Sequence, residues 1–208
     1  MTEVKTLVLV RHGETEGNSS VRYHGDTDVR LSESGRAQMR ATRIALQARL
    51  VGLPGPIFAS PLSRALESAR LLAGDACQVT AIEELREIHF GLFEGLTADE
   101  IRDRYPDEYQ RWISARLAPD FTFPAGENRR AFTARVEHGL ERMLALWDCC
   151  GAPGAYALLV AHRGVIRTIV NRLTGAEPLV ELGSIQIVRR ASDWKPVHLD
   201  LTDHLRAV

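Results

Sequence analysis

Two runs in this chain, Thr6-Leu7-Val8-Leu9-Val10 and Ala155-Tyr156-Ala157-Leu158-Leu159-Val160, are continuously apolar rather than alternating. That is the pattern of strands buried on both faces of a parallel sheet. Between and after them the period changes to that of helices. Ser32 offers an N-cap, and Ala37, Ala41, Ile44, Ala45 and Ala48 recur at helical spacing until Gly52 to Pro56 break the pattern. Ile57-Phe58-Ala59 reads as a second strand, followed by a helix from Pro61 to about Leu72, and Gln78 to Ile82 as a third strand. Thr97-Ala98-Asp99-Glu100 fits a capping box for a helix that Pro106 ends, and a short helix from Asp107 to Arg116 and a loop from Leu117 to Gly126 come next. A long helix from Asn128 to Trp147 carries Phe132, Val136, Leu140, Met143, Leu144 and Trp147 on one stripe. Gly151 to Gly154 is a turn, Val165 to Leu173 a helix, and Ile185 to Val188 and Val197 to Leu201 are late strands.

Strands alternating with helices predict an α/β fold: a three-layer sandwich with a mostly parallel central sheet and helices on both faces. Residues 1–208 form a single domain, and the strand-free stretch at about 97–123 is read as a small helical cap inserted over the sheet's edge.

Composition narrows the function classes. Lys and Arg total 26 against 27 Asp and Glu, a net charge of -1, which argues against a broad nucleic-acid or membrane-binding face but leaves room for a small cationic pocket. Cys77, Cys149 and Cys150 are odd in number and form no Cys-x-x-Cys, so reduced thiols in a cytoplasmic protein are expected rather than a disulfide framework or a zinc ribbon. The first ten residues, with Glu3 and a short apolar run, read as a strand rather than a secretory signal. No run approaches the ~20 apolar residues of a membrane span.

Open α/β sheets bind ligands beyond the carboxyl ends of their strands. The residues at those ends are Arg11 and His12, then Ser60, Pro61 and Arg64, then Glu87, then His162 and Gly164. Arginine forks match phosphoryl oxygens in shape and charge. Helix N-termini after Pro61 and His162 would add backbone donors. A histidine can attack phosphorus and a carboxylic acid can protonate the leaving alkoxide. With cations clamping the transferring group, this chemistry requires no metal.

Leu9-Val10-Arg11-His12-Gly13-Glu14-Thr15 resembles the signature of the histidine phosphatase superfamily, phosphoglycerate mutase-like branch. Further blocks resemble it in order: Gly25 to Gln38, Ser60-Pro61-Leu62-Ser63-Arg64-Ala65, Leu85 to Gly91 with Glu94-Gly95-Leu96-Thr97, and Val160 to Arg167. The resemblance implies a metal-independent, cofactor-free enzyme in which His12 is phosphorylated, Arg11, Arg64, His162 and Asn18 hold phosphoryl oxygens, and Glu87 is the general acid. Thr15, Tyr23 and His24 are candidate substrate contacts, although His24 and Tyr23, like Arg22 and Arg86, fit a solvated surface equally well. Neutral His12 is the nucleophile; the arginines favour that form and a bound phosphate dianion opposes it. A homodimer is expected only from family habit.

Several features depart from the pattern or compete with it. Arg163 stands where the usual His-Gly-Gly has its first glycine, either beside the pocket or in solvent. Asn128 stands where Gly-Glu-Ser would have serine, leaving Glu127 without a clear role. Glu83, Glu84 and Glu94 compete with Glu87 as the acid, and His89 is read as structurally packed. Asp26-Thr27-Asp28 mimics an aspartyl-phosphate motif but lacks the preceding buried strand, and is read as a turn. Where mutases of this family have Glu-Arg-His-Tyr, this chain has Glu87-Ile88-His89-Phe90, which favours a hydrolase of a small phosphomonoester, α-ribazole phosphate among the candidates. A cofactor-dependent phosphoglycerate mutase and a non-catalytic phospho-ligand-binding protein are the alternatives.

Overall fold

The computed structural model describes residues 4–17, 21–50, 52, 54–74, 77–115, 118–150 and 156–206. A six-stranded sheet is built from β1 (Lys5–Arg11), β2 (Pro54–Ala59), β3 (Val79–Ala81), β4 (Tyr156–Ala161), β5 (Ile185–Arg190) and β6 (Trp194–Leu201) in the order β3-β2-β4-β1-β5-β6. The β1–β4, β4–β2 and β2–β3 pairs are parallel, and β5 pairs antiparallel with both β1 and β6. Only β5 therefore runs against the rest.

The two apolar runs are the two central strands. Leu7, Val8, Leu9 and Val10 have no solvent exposure, because helices cover both faces. Leu7 and Leu9 face a core shared with α5 (Arg129–Cys149) and α6 (Arg163–Thr174), whereas Val8 and Val10 face one shared with α1 (Glu33–Arg49) and α2 (Ser63–Ala73). Alternation of side chains across the pleat thus feeds two cores from one strand. Ile101 of α3 (Ala98–Arg104), Trp112 of α4 (Pro106–Ala115) and Phe123 join the α5–α6 core, so the 97–123 segment packs onto one face of the sandwich.

Local chemistry sets the helix ends. Ser32 accepts from Gly35 N at the start of α1. Thr97 and Glu100 make the expected capping box, and Asn128 accepts from Arg130 N and Ala131 N to start α5. Pro106 is the first residue of α4, where its missing N–H costs nothing.

Three expectations need correction. The buried face of α1 is Gly35, Met39, Thr42, Ala45 and Leu46, while Ile44 is exposed. The alanines place the stripe wrongly, because the longer Met39 and Leu46 fill the groove against the sheet. His89 is exposed rather than packed; its backbone is engaged, with the N–H donating to Glu127. The late strands are longer at their hairpin ends than their apolar residues indicate, since β5 and β6 pair through Arg190 and Trp194. The expected 151–154 turn lies outside the described residues.

One close approach fixes the loop after β1. A Cβ on Gly13 would collide with the Gly35 carbonyl oxygen, and one on Gly35 with the Glu14 carbonyl oxygen. The loop backbone therefore lies directly on the first turn of α1, tied there by Glu14 N–H to Gln38 Oε1 (2.9 Å) and Ser32 N–H to Glu14 O (3.0 Å). Gly35→Ala should destabilise the fold by about 3 kcal/mol, the upper end of overpacking penalties, because backbone cannot yield as a side chain can. Urea unfolding checks this; an unchanged midpoint would show that the loop does not depend on this contact.

Candidate active site

Register alone brings two histidines together. Arg11 of β1 pairs with Ala161 of β4, so the next residue of each strand, His12 and His162, emerges at the same sheet edge. Their ring centroids lie 5.1 Å apart, edge to face, and both side chains are buried. On the other side of β4, Ala59 of β2 pairs with Val160, which sets Ser60 beside His162; Ser60 Oγ and His162 Nε2 are 2.7 Å apart. Ser60 receives no role from sequence, although its position at a strand end is the available signal.

His12 Nδ1 lies 2.7 Å from the Gly13 carbonyl oxygen, which can only accept, so Nδ1 carries the hydrogen and Nε2 the lone pair. Burial holds the His12 pKa well below 6.5, and the charges of Arg64 and Arg11 push it the same way. His162 is lowered for the same reasons, burial first and then Arg64 and His12. Both imidazoles are therefore neutral at pH 7.

Two guanidinium groups lie near them, that of Arg64 buried and that of Arg11 half-buried at the cavity. Arg64, with no exposed surface, donates to the carbonyls of Thr27 (2.7 Å), Gly25 (2.6 Å) and His24 (3.3 Å). Arg11 donates to the Val180 carbonyl (3.0 Å), and its pKa is pushed down to about 10, chiefly by burial and then by Arg163. Among the described residues neither side chain hydrogen-bonds a carboxylate, and Arg11 Nε and Arg64 Nε are buried without a protein acceptor. His162 Nδ1 is likewise buried and unpartnered. Buried donors without acceptors, next to buried positive charge, are the mark of an anion-binding site.

Other residues act by holding these. Glu94, a competitor for the acid role, is committed elsewhere: its carboxylate accepts from the backbone N–H groups of Gly25, Asp26, Thr27 and Phe90 and from the Thr27 hydroxyl. It thereby shapes the loop whose carbonyls hold Arg64. Asp26 pairs with Arg86 (2.5 Å), and Asp28 accepts from Ser63 N–H (2.8 Å) at the start of α2, so this acidic pair is structural. Glu84 pairs with Arg142, and Glu83 with Arg86. Glu127 accepts from Arg135 through two bonds (3.0 and 2.8 Å) and braces the loop before α5. Val180, which gives its carbonyl to Arg11, sits at φ 58°, a strained conformation for a β-branched residue. The Asp200 carboxylate pins it by accepting from the Leu179 and Val180 N–H groups (2.9 and 3.0 Å). Nothing in the sequence marks Val180 or Asp200.

Glu87 is the one carboxylate among the described residues that line the cavity beside this cluster, which measures about 570 Å³. Its Oε2 accepts from Gly164 N–H (2.9 Å) at the start of α6 and its Oε1 from Ile88 N–H (3.0 Å). A Cβ on Gly164 would run into Glu87 Oε1, which explains why this second glycine stands while the first is Arg163. Ile88 and Phe90 line the cavity and His89 does not, so the wall next to Glu87 is apolar.

Among the sequence candidates, Arg11, Glu87, Tyr23 and His24 line the cavity, whereas His12 and His162, at the strand ends, and Arg64, in the first turn of α2, are buried. Arg22 reaches it as well, paired with Glu100 through two bonds (2.6 and 3.1 Å). Thr15 is buried in a bridge to Leu31 and is not part of the cavity lining. Asn18 lies outside the described residues. Arg129, Phe123, Phe132 and Arg167 also line the wall and are not anticipated from sequence, since their segments meet the site only in the folded chain.

The model of the histidine phosphatase superfamily (branch 1) matches residues 7–192. A probable phosphoglycerate mutase of Enterobacter sp. (strain 638) is 34% identical over 178 residues, covering 84% of this chain and 77% of that one. A glucosyl-3-phosphoglycerate phosphatase of Mycolicibacterium vanbaalenii is 34% identical over 177 residues, covering 83% and 75%. Among solved structures, the α-ribazole phosphatase from Shigella flexneri superposes with a TM-score of 0.80 at 25% identity, covering 94% of this chain and 96% of that one. With the paired histidines, the arginines near them and this agreement in sequence and fold, the chain belongs to the histidine phosphatase superfamily, branch 1.

Proposed function

We propose that this protein is a metal-independent hydrolase of small phosphomonoesters that works through a phosphohistidine on His12. The observation that carries this reading is the neutral, oriented His12 in the field of Arg64, which is buried, and Arg11, which is half-buried, neither hydrogen-bonded to a carboxylate among the described residues. In the first step His12 Nε2 attacks phosphorus, the ester P–O bond breaks, and the departing alkoxide takes a proton from the Glu87 carboxyl group. In the second a water attacks the phosphohistidine, its proton passes to the Glu87 carboxylate, and the N–P bond breaks to return neutral His12 and inorganic phosphate. Arg11, Arg64 and His162 would hold the phosphoryl oxygens, where fixed donors stabilise the developing charge without reorganising. The 97–123 segment, which contributes Phe123 to the cavity, would act as the cap that limits substrate size.

Water is favoured as the acceptor over a second hydroxyl because the Ile88 and Phe90 side chains, beside Glu87, offer no hydrogen bond to hold a product hydroxyl in line for re-attack. The two phosphatases compared above act, by their names, on α-ribazole phosphate and glucosyl-3-phosphoglycerate, which makes small phosphorylated metabolites the substrates to test first.

Phosphate release from a panel of phosphomonoesters should persist with a chelator present and fall about 10³-fold or more in His12→Ala. Wild type quenched in alkali during turnover should carry a base-stable phosphoryl group that acid then releases and that the variant lacks. Activity surviving in His12→Ala would sink the covalent mechanism, and turnover of 3-phosphoglycerate only with 2,3-bisphosphoglycerate present would identify a mutase.

Glu87→Ala should slow alkyl phosphates more than aryl phosphates, because a phenolate leaves with less help from a proton. Equal losses for both classes would remove Glu87 from the acid role.

The buried neutral histidines also link stability to pH. Their folded pKa values lie below the unfolded value near 6.5, so between those values the unfolded chain binds more protons. Their contribution is complete above the unfolded value and is lost as pH falls toward the folded ones. Each histidine should cost about 1.4 kcal/mol per pH unit in that window. Urea unfolding at pH 7 and 5.5 should show this loss, and His162→Gln should reduce the slope; a pH-independent midpoint would mean that the histidines are not held neutral.

A further inference from the structure

The wall of the active-site cavity is far more cationic than a single phosphoryl group requires. Arg11, Arg22, Arg129, Arg163 and Arg167 line it, against Glu87 alone among the described residues, in a chain whose net charge is -1. Arg22 is neutralised by Glu100, and Arg129 lies over the Phe121 and Phe123 rings at 5.5 and 5.6 Å. Arg163 and Arg167 stand differently.

Both are exposed residues on the cavity side of α6, one helical turn apart. Their placement breaks two local rules. Arg163 is the first residue of α6, where the helix dipole disfavours a cation, and no acidic residue stands in that first turn to offset it. Arg163 and Arg167 are also four apart, where like charges repel. Arg163 Nε donates to the Leu179 carbonyl (3.0 Å), which holds the side chain near enough to Arg11 to lower the pKa of Arg11. Arg167 makes no ion pair among the described residues, whereas Glu137 of the neighbouring α5 is taken by Arg172 (3.4 Å). Local rules broken at the rim of an active site point to a ligand that compensates for them.

We propose that Arg163 and Arg167 form a subsite for a second anionic group of the substrate, a carboxylate or a further phosphate, so that the enzyme selects phosphomonoesters carrying two separated anionic groups. This rests on the phosphatase reading and narrows it. The phosphoryl group would occupy Arg11 at the end of β1 and Arg64 in the first turn of α2, the apolar wall of Ile88 and Phe90 would cover the short spacer, and the α6 arginines would take the distal anion.

The test uses two esters of nearly equal shape, 3-phosphoglycerate and glycerol 3-phosphate, which differ in a carboxylate against a hydroxymethyl group. Each competes with p-nitrophenyl phosphate on the full-length enzyme, so that Ki is read whether or not the competitor turns over. Glycerol 1,3-bisphosphate is a third arm that separates a preference for carboxylate from one for phosphate. Wild type should bind 3-phosphoglycerate, the bisphosphate or both about tenfold or more tightly than glycerol 3-phosphate. Arg163→Gln and Arg167→Gln should each bring that ratio toward one, and high salt should shrink it. Because Arg163 touches the Leu179 loop, Arg167→Gln decides the matter if the first variant folds poorly. Equal Ki values for all three competitors in wild type, or a ratio that survives in Arg167→Gln, would overturn the subsite while leaving the hydrolase intact. No turnover of p-nitrophenyl phosphate or of any ester would overturn the hydrolase reading and this inference with it.

Discussion

Withdrawing the Arg11 and Arg64 guanidinium groups from water, with no hydrogen bond to a carboxylate among the described residues, is the constraint on which the site depends. A buried cation costs several kcal/mol unless its surroundings replace water. Here the replacement is mostly backbone: the carbonyls of His24, Gly25 and Thr27 for Arg64 and that of Val180 for Arg11. Carbonyl oxygens solvate a guanidinium without cancelling its charge, so the positive potential remains available to an anion. A carboxylate in the same place would have stabilised the empty protein and spoiled the site.

Much of the loop structure serves that requirement. The 24–27 loop presents three carbonyls in one direction because Glu94 gathers its N–H groups from the opposite side. Val180 tolerates a left-handed conformation because Asp200 accepts from it and from Leu179. In both places a carboxylate holds backbone amides so that the reverse side of the peptide can hold an arginine. The same positive field, with burial, keeps His12 and His162 neutral, so one arrangement prepares both the binding of an anion and the nucleophile.

The sheet and its order of helices are legible in the sequence because a continuous apolar run as short as Leu7 to Val10, bounded by polar residues, fits a strand covered on both faces and little else. The residues at the strand ends are legible with it: once the strands are placed, His12, Arg64, Glu87 and His162 come next in the chain. The face of α1 is not, because alanine spacing says little about which longer side chains, Met39 and Leu46, reach the sheet. Four glutamates compete for the acid role in the sequence, and the choice narrows only in the folded chain, where Glu87 lines the cavity and Glu83, Glu84 and Glu94 do not. Val180, Asp200 and Ser60 act through backbone geometry and neighbouring strands, for which a single chain read in order carries no pattern.

The pairing of β1 with β4 also bears on how the molecule comes into being. Leu7 lies beside Ala157, so the two central strands are joined across about 150 residues of chain. During synthesis the first histidine leaves the ribosome long before the second, and the N-terminal strand must wait for its central partner. Such long-range closure is entropically slow. A ligand that bridges Arg11, Arg64 and His162 would span the same distance in sequence and fasten the segment carrying β1 and α2 to the start of α6.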